Sequence, residues 1–231
     1  CSPMPMKPRS DSMIRRWALT LMLLSCQAFH VGAHAAENVS TELRQLQQVL
    51  VEGNTMERLN GLHKLADIGD ASHTAWVFPL LQDPDPQLRH VAQAVIWNLW
   101  GHSGDAATDA QFQEGLALMS AGDLAHAIDV FSHLIAEHPL FVEAWNKRAT
   151  LYFMHGQFDL SIQDCEEVLK LEPRHFGALS GYARMLISKG QYERALDYME
   201  RANQVNPQMP NAEEIIRYLR QQLWGRRNNS V

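Results

Sequence analysis

The amino-acid sequence predicts an all-α protein in which consecutive helical hairpins stack into an α–α superhelix, or solenoid. A period of 34 residues recurs in the second half of the chain. The first half contains helix-length amphipathic segments with a different spacing, and one more such segment follows the last repeat. Because 46% of the 231 residues are apolar and only 20% are charged, the composition allows a packed core and excludes a disordered chain.

Four columns of residues carry the 34-residue period. The columns are Gly122, Gly156 and Gly190; Leu124, Phe158 and Tyr192; Ala127, Ser161 and Ala195; and Pro139, Pro173 and Pro207. Average glycine and proline frequencies give the glycine and proline matches a chance on the order of 10⁻⁵. Each unit is predicted to be helix–turn–helix, because glycine permits a left-handed reversal after the first helix and proline ends the second.

This unit resembles the tetratricopeptide repeat. The motifs that carry the resemblance are Glu143-Ala-Trp145, Gly156-Gln-Phe158, Pro173, Gly190-Gln-Tyr192 and Pro207. The first unit runs from about Thr108 to Phe141, so residues 106–209 are predicted to form three repeats. Gln111, Glu114 and Arg148 depart from the pattern, because the family usually has aromatic or apolar residues there. The resemblance specifies a fold and leaves the ligand open.

Residues 210–231 are predicted to form a capping helix and a tail. The last repeat of a solenoid would otherwise expose its apolar edge. Ile215, Ile216, Leu219 and Leu223 share one face of this helix, and Asn211 with Glu214 resembles a capping box at its start.

Residues 36–105 form a second helical region. The sequence predicts one helix from Ala71 to Gln82, kinked at Pro79, and another from Pro86 to Trp100 with Asp85 as its N-cap. The stretch from Val77 to Arg89, which contains Asp-Pro-Asp-Pro, resembles HEAT-like repeats, another solenoid of helix pairs. The joint at residues 101–105 is short, so the two regions are expected to stack on each other.

Residues 13–35 have the order of a secretory signal peptide. Arg15 and Arg16 precede an apolar run, and Ala33-His34-Ala35 provides an exit of small residues. The run is shorter than the roughly 20 residues that span a bilayer. Met13 is therefore expected to be the natural start, with residues 1–12 as upstream, unstructured sequence, and cleavage after Ala35 would give an exported, periplasmic protein.

The sequence also allows a second way of processing the exported protein, at Cys26. Leu23-Leu24-Ser25-Cys26 resembles a bacterial lipobox, in which the cysteine becomes lipidated and anchors the protein to a membrane. Only this route predicts a membrane partner.

The sequence contains none of the common catalytic or metal-binding motifs. Gly-x-Ser-x-Gly, Cys-x-x-Cys and His-Glu-x-x-His are absent, and Cys165 is interpreted as a core residue. His126 and His133 would lie about 10.5 Å apart along a helix, too far to share a metal, and His138 is out of phase with them. We therefore expect no enzymatic activity, no cofactor and no metal.

Charge disfavours nucleic acid as a partner. The whole chain has a formal charge of −6, and its first 35 residues hold four basic residues against Asp11. Removing this net +3 leaves −9 on the remaining 196 residues, a charge that repels phosphate backbones.

The resemblance implies that inward-facing residues of the first helices contact an extended or helical peptide. By repeat position these are Asp109, Phe112, Leu116, Glu143, Asn146, Lys147, Thr150, Gly177, Ser180 and Arg184. Asn146, Lys147 and Arg184 would form part of the Lys/Asn/Arg clamp with which relatives hold a C-terminal carboxylate.

The predicted function is therefore a non-enzymatic interaction or scaffold protein of the bacterial cell envelope that binds a partner protein or peptide. The alternatives are a lipid-anchored assembly subunit and an enzyme with an unrecognised site.

Overall fold

The computed structural model describes residues 38–228, and every regular element in that range is helical. The predicted signal peptide and Cys26 lie outside the described residues. None of the described helices is both long enough and apolar enough to cross a membrane. The all-α prediction is confirmed for this part of the chain.

The described part of the chain divides into two units, with the boundary after Gln45. In the first unit, residues 38–45 are helical. The second unit begins with helical residues 46–52, here called α1. The longer helices that follow are α2 (Thr55–Ile68), α4 (Pro86–Trp100), α5 (Ala106–Ala121), α6 (Leu124–Glu137), α7 (Val142–Met154), α8 (Phe158–Leu171), α9 (Phe176–Ser188), α10 (Tyr192–Val205) and α11 (Ala212–Asn228).

The segment between α2 and α4 differs from the prediction. Instead of one kinked helix, it forms a 3₁₀ turn at Ala71–His73, the short helix α3 at Thr74–Val77 and a second 3₁₀ turn at Phe78–Gln82. Pro79 explains the break, because it lacks an N–H group and its ring clashes with the carbonyl four residues earlier. The prediction of a continuous helix was therefore wrong.

Helix α4 begins as predicted. The Asp85 carboxylate accepts hydrogen bonds from the backbone N–H groups of Gln87 (2.8 Å) and Leu88 (3.4 Å), and Pro86 is the first helical residue. The helix packs against α2 and buries an apolar face of Leu88, Ala92, Val95, Ile96 and Leu99.

From α5 onward the chain forms consecutive antiparallel hairpins, α5–α6, α7–α8 and α9–α10, and each hairpin packs on the next. The turn glycines Gly122, Gly156 and Gly190 have φ angles of 78°, 75° and 70°. At each turn the following N–H bonds five residues back, as Gln157 does to the Tyr152 carbonyl at 2.8 Å. These are Schellman-type helix ends, as the glycine column predicts.

The turn glycines give a direct stability test. Gly156→Ala is expected to lower the free energy of unfolding by about 1–2 kcal/mol, because alanine resists the left-handed conformation. An added Cβ at Gly156 would meet no atom within 4 Å, so a steric clash makes no contribution. Gly181, inside α9, is equally open, and Gly181→Ala should raise the free energy by about 1 kcal/mol. Urea denaturation would measure both changes, and equal effects would contradict this explanation.

The hairpins enclose two clusters of buried side chains. One cluster includes Phe112, Ala127, Phe131 and Leu134, and the other joins α7–α11 through residues such as Tyr182, Ala195, Met199 and Leu219. Helix α11 packs on α10 and covers its apolar edge with Ile216 and Leu219, as expected of a cap. Asn211 has a φ of 62°, so it does not adopt the extended conformation usual for a side-chain N-cap.

Hydrogen bonds also join the first helical region to the last repeat. The Gln82 side chain donates to the Gln204 carbonyl at 2.8 Å. The Asn206 side chain donates to the Gln93 side-chain oxygen at 2.8 Å. Gln82 ends the segment before α4 and Gln93 lies within α4, so this part of the chain lies against the end of α10 and the residue that follows it. The expected stacking of the two regions is confirmed.

Candidate partner-binding surface

The ten predicted contact residues lie in three different environments. Phe112, Glu143 and Asn146 are buried; Asp109, Leu116, Lys147, Gly177 and Ser180 are partly buried; and Thr150 and Arg184 are exposed. The buried members are held by contacts inside the protein. The surface open to a partner is therefore smaller than the repeat pattern implies.

Glu143 is the centre of a buried polar cluster on α7. Its carboxylate is 2.9 Å from His175 Nε2, and both carboxylate oxygens accept hydrogen bonds from the Asn146 side chain at 3.1 Å. The Lys147 ammonium lies 2.7 Å from the same carboxylate. The Glu143 carboxylate is therefore hydrogen-bonded within the protein to both Asn146 and His175.

His175 links this cluster to the start of α9. Its Nδ1 accepts a hydrogen bond from the backbone N–H of Ala178 at 3.0 Å and so caps the helix. Nδ1 must therefore be unprotonated, which places the ring proton on Nε2, where it is donated to Glu143. The imidazole is fully buried and stacks on Trp100 at 3.8 Å between ring centroids, with a 15° interplanar angle.

The titration of Glu143 gives a pH prediction. Burial raises the pKa of Glu143, but the Lys147 charge and the His175 hydrogen bond outweigh it, so its pKa lies below the ordinary value. A carboxylate with a lowered folded-state pKa stabilises the protein above its ordinary pKa and loses this contribution as pH falls through the lowered value. The stability advantage of the wild type over Glu143→Gln should therefore be constant near neutral pH and shrink as the pH falls below about 4.5 in urea denaturation. A constant difference would contradict the assignment.

The end of α4 covers the start of α9. Trp97 packs edge-on against Phe176 with centroids 5.1 Å apart, and a Cβ added at Gly177 would lie only 2.5 Å from the Trp97 ring. The Lys147 ammonium lies over Trp97, 5.3 Å from its centroid. Trp100 is 2% exposed and is therefore a core residue.

The residues of the first repeat that were predicted to contact a partner are also engaged in contacts within the protein. Phe112 is 2% exposed and packs against Phe141 and Phe131, with centroids 5.0 and 5.7 Å apart. Asp109 accepts hydrogen bonds from the backbone N–H and the hydroxyl of Ser103 in the joint. Phe112 is therefore a core residue, and Asp109 holds the joint at residues 101–105 to α5 by its hydrogen bonds with Ser103. The sequence could not reveal these contacts, because they join α5 to residues of other elements.

The open part of the inner face lies between α7 and α9. Thr150 and Arg184 are exposed there, together with Phe153 at 41% and Met154 at 56%. A cavity of about 130 Å³ runs beneath them. Its lining consists of Asn146, Ala149, Thr150, Phe153, Ser161, Cys165, Gly177, Gly181, Arg184 and Met185. This cavity is a candidate site for contact with another molecule.

Arg148 has a role that the repeat pattern does not predict. It occupies a usually apolar position of α7, and its guanidinium makes two hydrogen bonds to the Asp164 carboxylate on α8, at 2.7 and 2.8 Å. A third hydrogen bond reaches Ser132 on α6 at 3.0 Å. The departure from the apolar pattern and the nearby Asp164 were the available signals for this ion pair.

Cys165 and the histidines of α6 are structural in the described part of the chain. Cys165 is buried, and burial raises the pKa of its thiol to about 12, so it is not a reactive thiolate. His126 pairs with Asp123 at 2.7 Å, and His133 lies 3.3 Å from Glu137. Within residues 38–228, no three His, Cys, Asp or Glu side chains are grouped so that they could hold a metal.

The family description "Tetratricopeptide repeat" matches residues 142–175 and again residues 177–209. Residues 142–209 therefore carry two tetratricopeptide repeats, which coincide with α7–α8 and α9–α10. The hairpin α5–α6 has the same turn geometry. The HEAT-like resemblance of residues 36–105 stays a prediction.

Two curated relatives and one solved structure are similar to the chain. A TPR repeat-containing protein of Rhizobium etli is 37% identical over 128 residues, which cover 55% of this chain and 63% of that protein. The small glutamine-rich tetratricopeptide repeat-containing protein 2 of Mycosarcoma maydis is 30% identical over 94 residues, or 41% of this chain and 27% of that protein. The chain thus spans less than two thirds of either relative.

The crystal structure of the Sgt2 TPR domain from Aspergillus fumigatus matches with a TM-score of 0.50 at 17% identity. The match covers 55% of this chain and 85% of that domain. At this level of identity the likeness shows the fold alone, and it agrees with the predicted solenoid of helical hairpins.

Proposed function

Because residues 142–209 carry tetratricopeptide repeats, we propose that this protein is a non-enzymatic interaction module that binds a segment of a partner protein between α7 and α9. The observation that carries the proposal is the open surface formed by Thr150, Phe153, Met154 and Arg184 above the cavity. Repeat helices hold this surface in place before any ligand arrives, so binding costs little ordering on the receptor side.

The chemistry of the surface favours a partner segment with both apolar and acidic groups. Phe153 and Met154 offer exposed apolar area, and the guanidinium of Arg184 offers five hydrogen-bond donors to a carboxylate or carbonyl oxygen. Asn146 and Lys147 are both engaged with Glu143. Of the predicted three-residue clamp, Arg184 is thus the member available to a ligand.

Site-specific photo-crosslinking in the native cell tests the proposal. Benzoylphenylalanine at Thr150 should give a crosslinked adduct with one partner, whereas the same group at Gln163, exposed on α8, should not. Arg184→Gln should reduce the adduct about ten-fold if a charged hydrogen bond is lost. Arg201→Gln on α10 is the matched control and should leave the adduct unchanged. Equal adducts from positions 150 and 163 would contradict the proposal.

We further propose that the protein acts outside the cytoplasm, in the bacterial cell envelope. Arg15 and Arg16, the apolar run after them and Ala33-His34-Ala35 support export. Mass spectrometry of the mature N-terminus should find Ala36. An acylated Cys26 would instead support the membrane-anchored form, and an intact Met13 would contradict export.

A further inference from the structure

The end of α4 and the joint after it contact α5, α7 and α9, which are the first helices of the three hairpins. At α5, Ser103 bonds Asp109, and a Cβ added at Gly101 would lie 3.4 Å from the Phe112 ring. At α7, Lys147 lies over Trp97. At α9, Trp97 packs on Gly177 so closely that no side chain would fit there. The protein's own chain thus contacts the inner face near these helix starts, and a cavity of about 360 Å³ lies there between Trp97 and Lys147.

The cavity between α7 and α9 is small and mainly apolar. Its volume of about 130 Å³ is close to that of engineered protein cavities of about 150 Å³ that bind benzene. Ala149, Gly181 and Met185 supply its apolar wall, and Arg184 is the charged residue among those that line it. A cavity of this size and lining accepts one side chain rather than a length of peptide.

We propose that this cavity is an anchor pocket for a single apolar side chain, of the size of leucine or methionine, from an internal segment of the partner. The inference rests on the proposed function and specifies its chemistry. Arg184 at the rim is complementary to an acidic residue next to the anchor in that segment. A C-terminal carboxylate fits this surface less well, because Asn146 and Lys147 already bind the Glu143 carboxylate.

A larger side chain at position 181 would fill the pocket. A Cβ at this position would meet no atom within 4 Å, so the space in front of it is open. Leucine also has a higher helix propensity than glycine, so Gly181→Leu should not destabilise α9. Gly225 in α11 is equally open and away from the pocket, and Gly225→Leu is the matched control.

The test is an NMR titration of the full chain with three small probes: toluene, N-acetyl-leucine amide and N-acetyl-glutamine amide. Toluene and the leucine amide should shift the backbone amide signals of Thr150 and Gly181, and the glutamine amide should not. Gly181→Leu should raise both dissociation constants at least ten-fold, whereas Gly225→Leu should leave them unchanged. Thermal unfolding of both variants would verify that they are folded.

Two results would overturn the anchor pocket: no shifts with toluene or the leucine amide, or equal binding by the wild type and Gly181→Leu. A further comparison with N-acetyl-leucine, which has a free carboxylate, would reveal a carboxylate site if that probe alone bound. These results are independent of the crosslinking experiment. A partner adduct at Thr150 together with a failed titration would keep the proposed function and remove the anchor pocket.

Discussion

Replacing Trp100 with alanine is expected to lower the free energy of unfolding by about 3–5 kcal/mol, the range typical of large buried aromatic residues. Trp100 is 2% exposed and stacks on His175, so its removal leaves a cavity between α4 and the start of α9. The same change removes the cover over a buried polar cluster. Urea denaturation followed by circular dichroism would measure the loss.

Trp224→Ala is the matched control for this prediction. Trp224 is 71% exposed on α11, so its replacement should change the free energy of unfolding by no more than about 0.5 kcal/mol. If Trp100→Ala were as mild as Trp224→Ala, α4 would not be docked on the repeats as the structure shows. The comparison therefore tests the arrangement that restricts the open surface.

Asp164→Asn is expected to have a similarly large effect, about 3–5 kcal/mol, because it leaves the partly buried charge of Arg148 without its counter-charge. The Asp164 side chain is 5% exposed and receives both hydrogen bonds of the Arg148 fork. The loss should be apparent at neutral pH. Urea denaturation again provides the measurement.

The exposed ion pair between Asp159 and Lys189 is the matched control. The Asp159 side chain is 81% exposed, so Asp159→Asn should change the free energy of unfolding by less than about 1 kcal/mol. A comparable loss from both substitutions would mean that the Arg148–Asp164 pair contributes no more to the free energy of unfolding than an exposed ion pair. Arg148→Met together with Asp164→Leu should recover part of the loss, because apolar packing can replace a buried ion pair.

The helical hairpins could be predicted because their signals are local. Glycine at the left-handed turns and proline after the second helices specify where each helix ends, whatever lies nearby in space. The same logic identified Asp85 as the N-cap of α4. It failed between Ala71 and Gln82, where the kink expected at Pro79 is instead a change to 3₁₀ turns. Periodicity alone does not distinguish a bent helix from a broken one.

The candidate site could be predicted only in part, because accessibility depends on contacts between distant residues. Thr150 and Arg184 are exposed as the repeat positions imply, but Phe112 and Glu143 are buried. His175 was not identified, although its position just before α9 is typical of a capping residue. Its partner Glu143 is 32 residues away, and its stacking partner Trp100 belongs to a different type of helical region.

The hydrogen bonds that Gln82 donates to Gln204 and that Gln93 accepts from Asn206 bear on how the chain unfolds. In an open array of repeats each unit touches only its neighbours, so the ends can fray independently. Here residues 113 and 122 positions apart are joined, which ties one terminus of the array to the other. Such long-range closure slows folding, because distant segments must meet first. It also makes early loss of the last repeat alone unfavourable, so residues 46–228 should melt in one cooperative step.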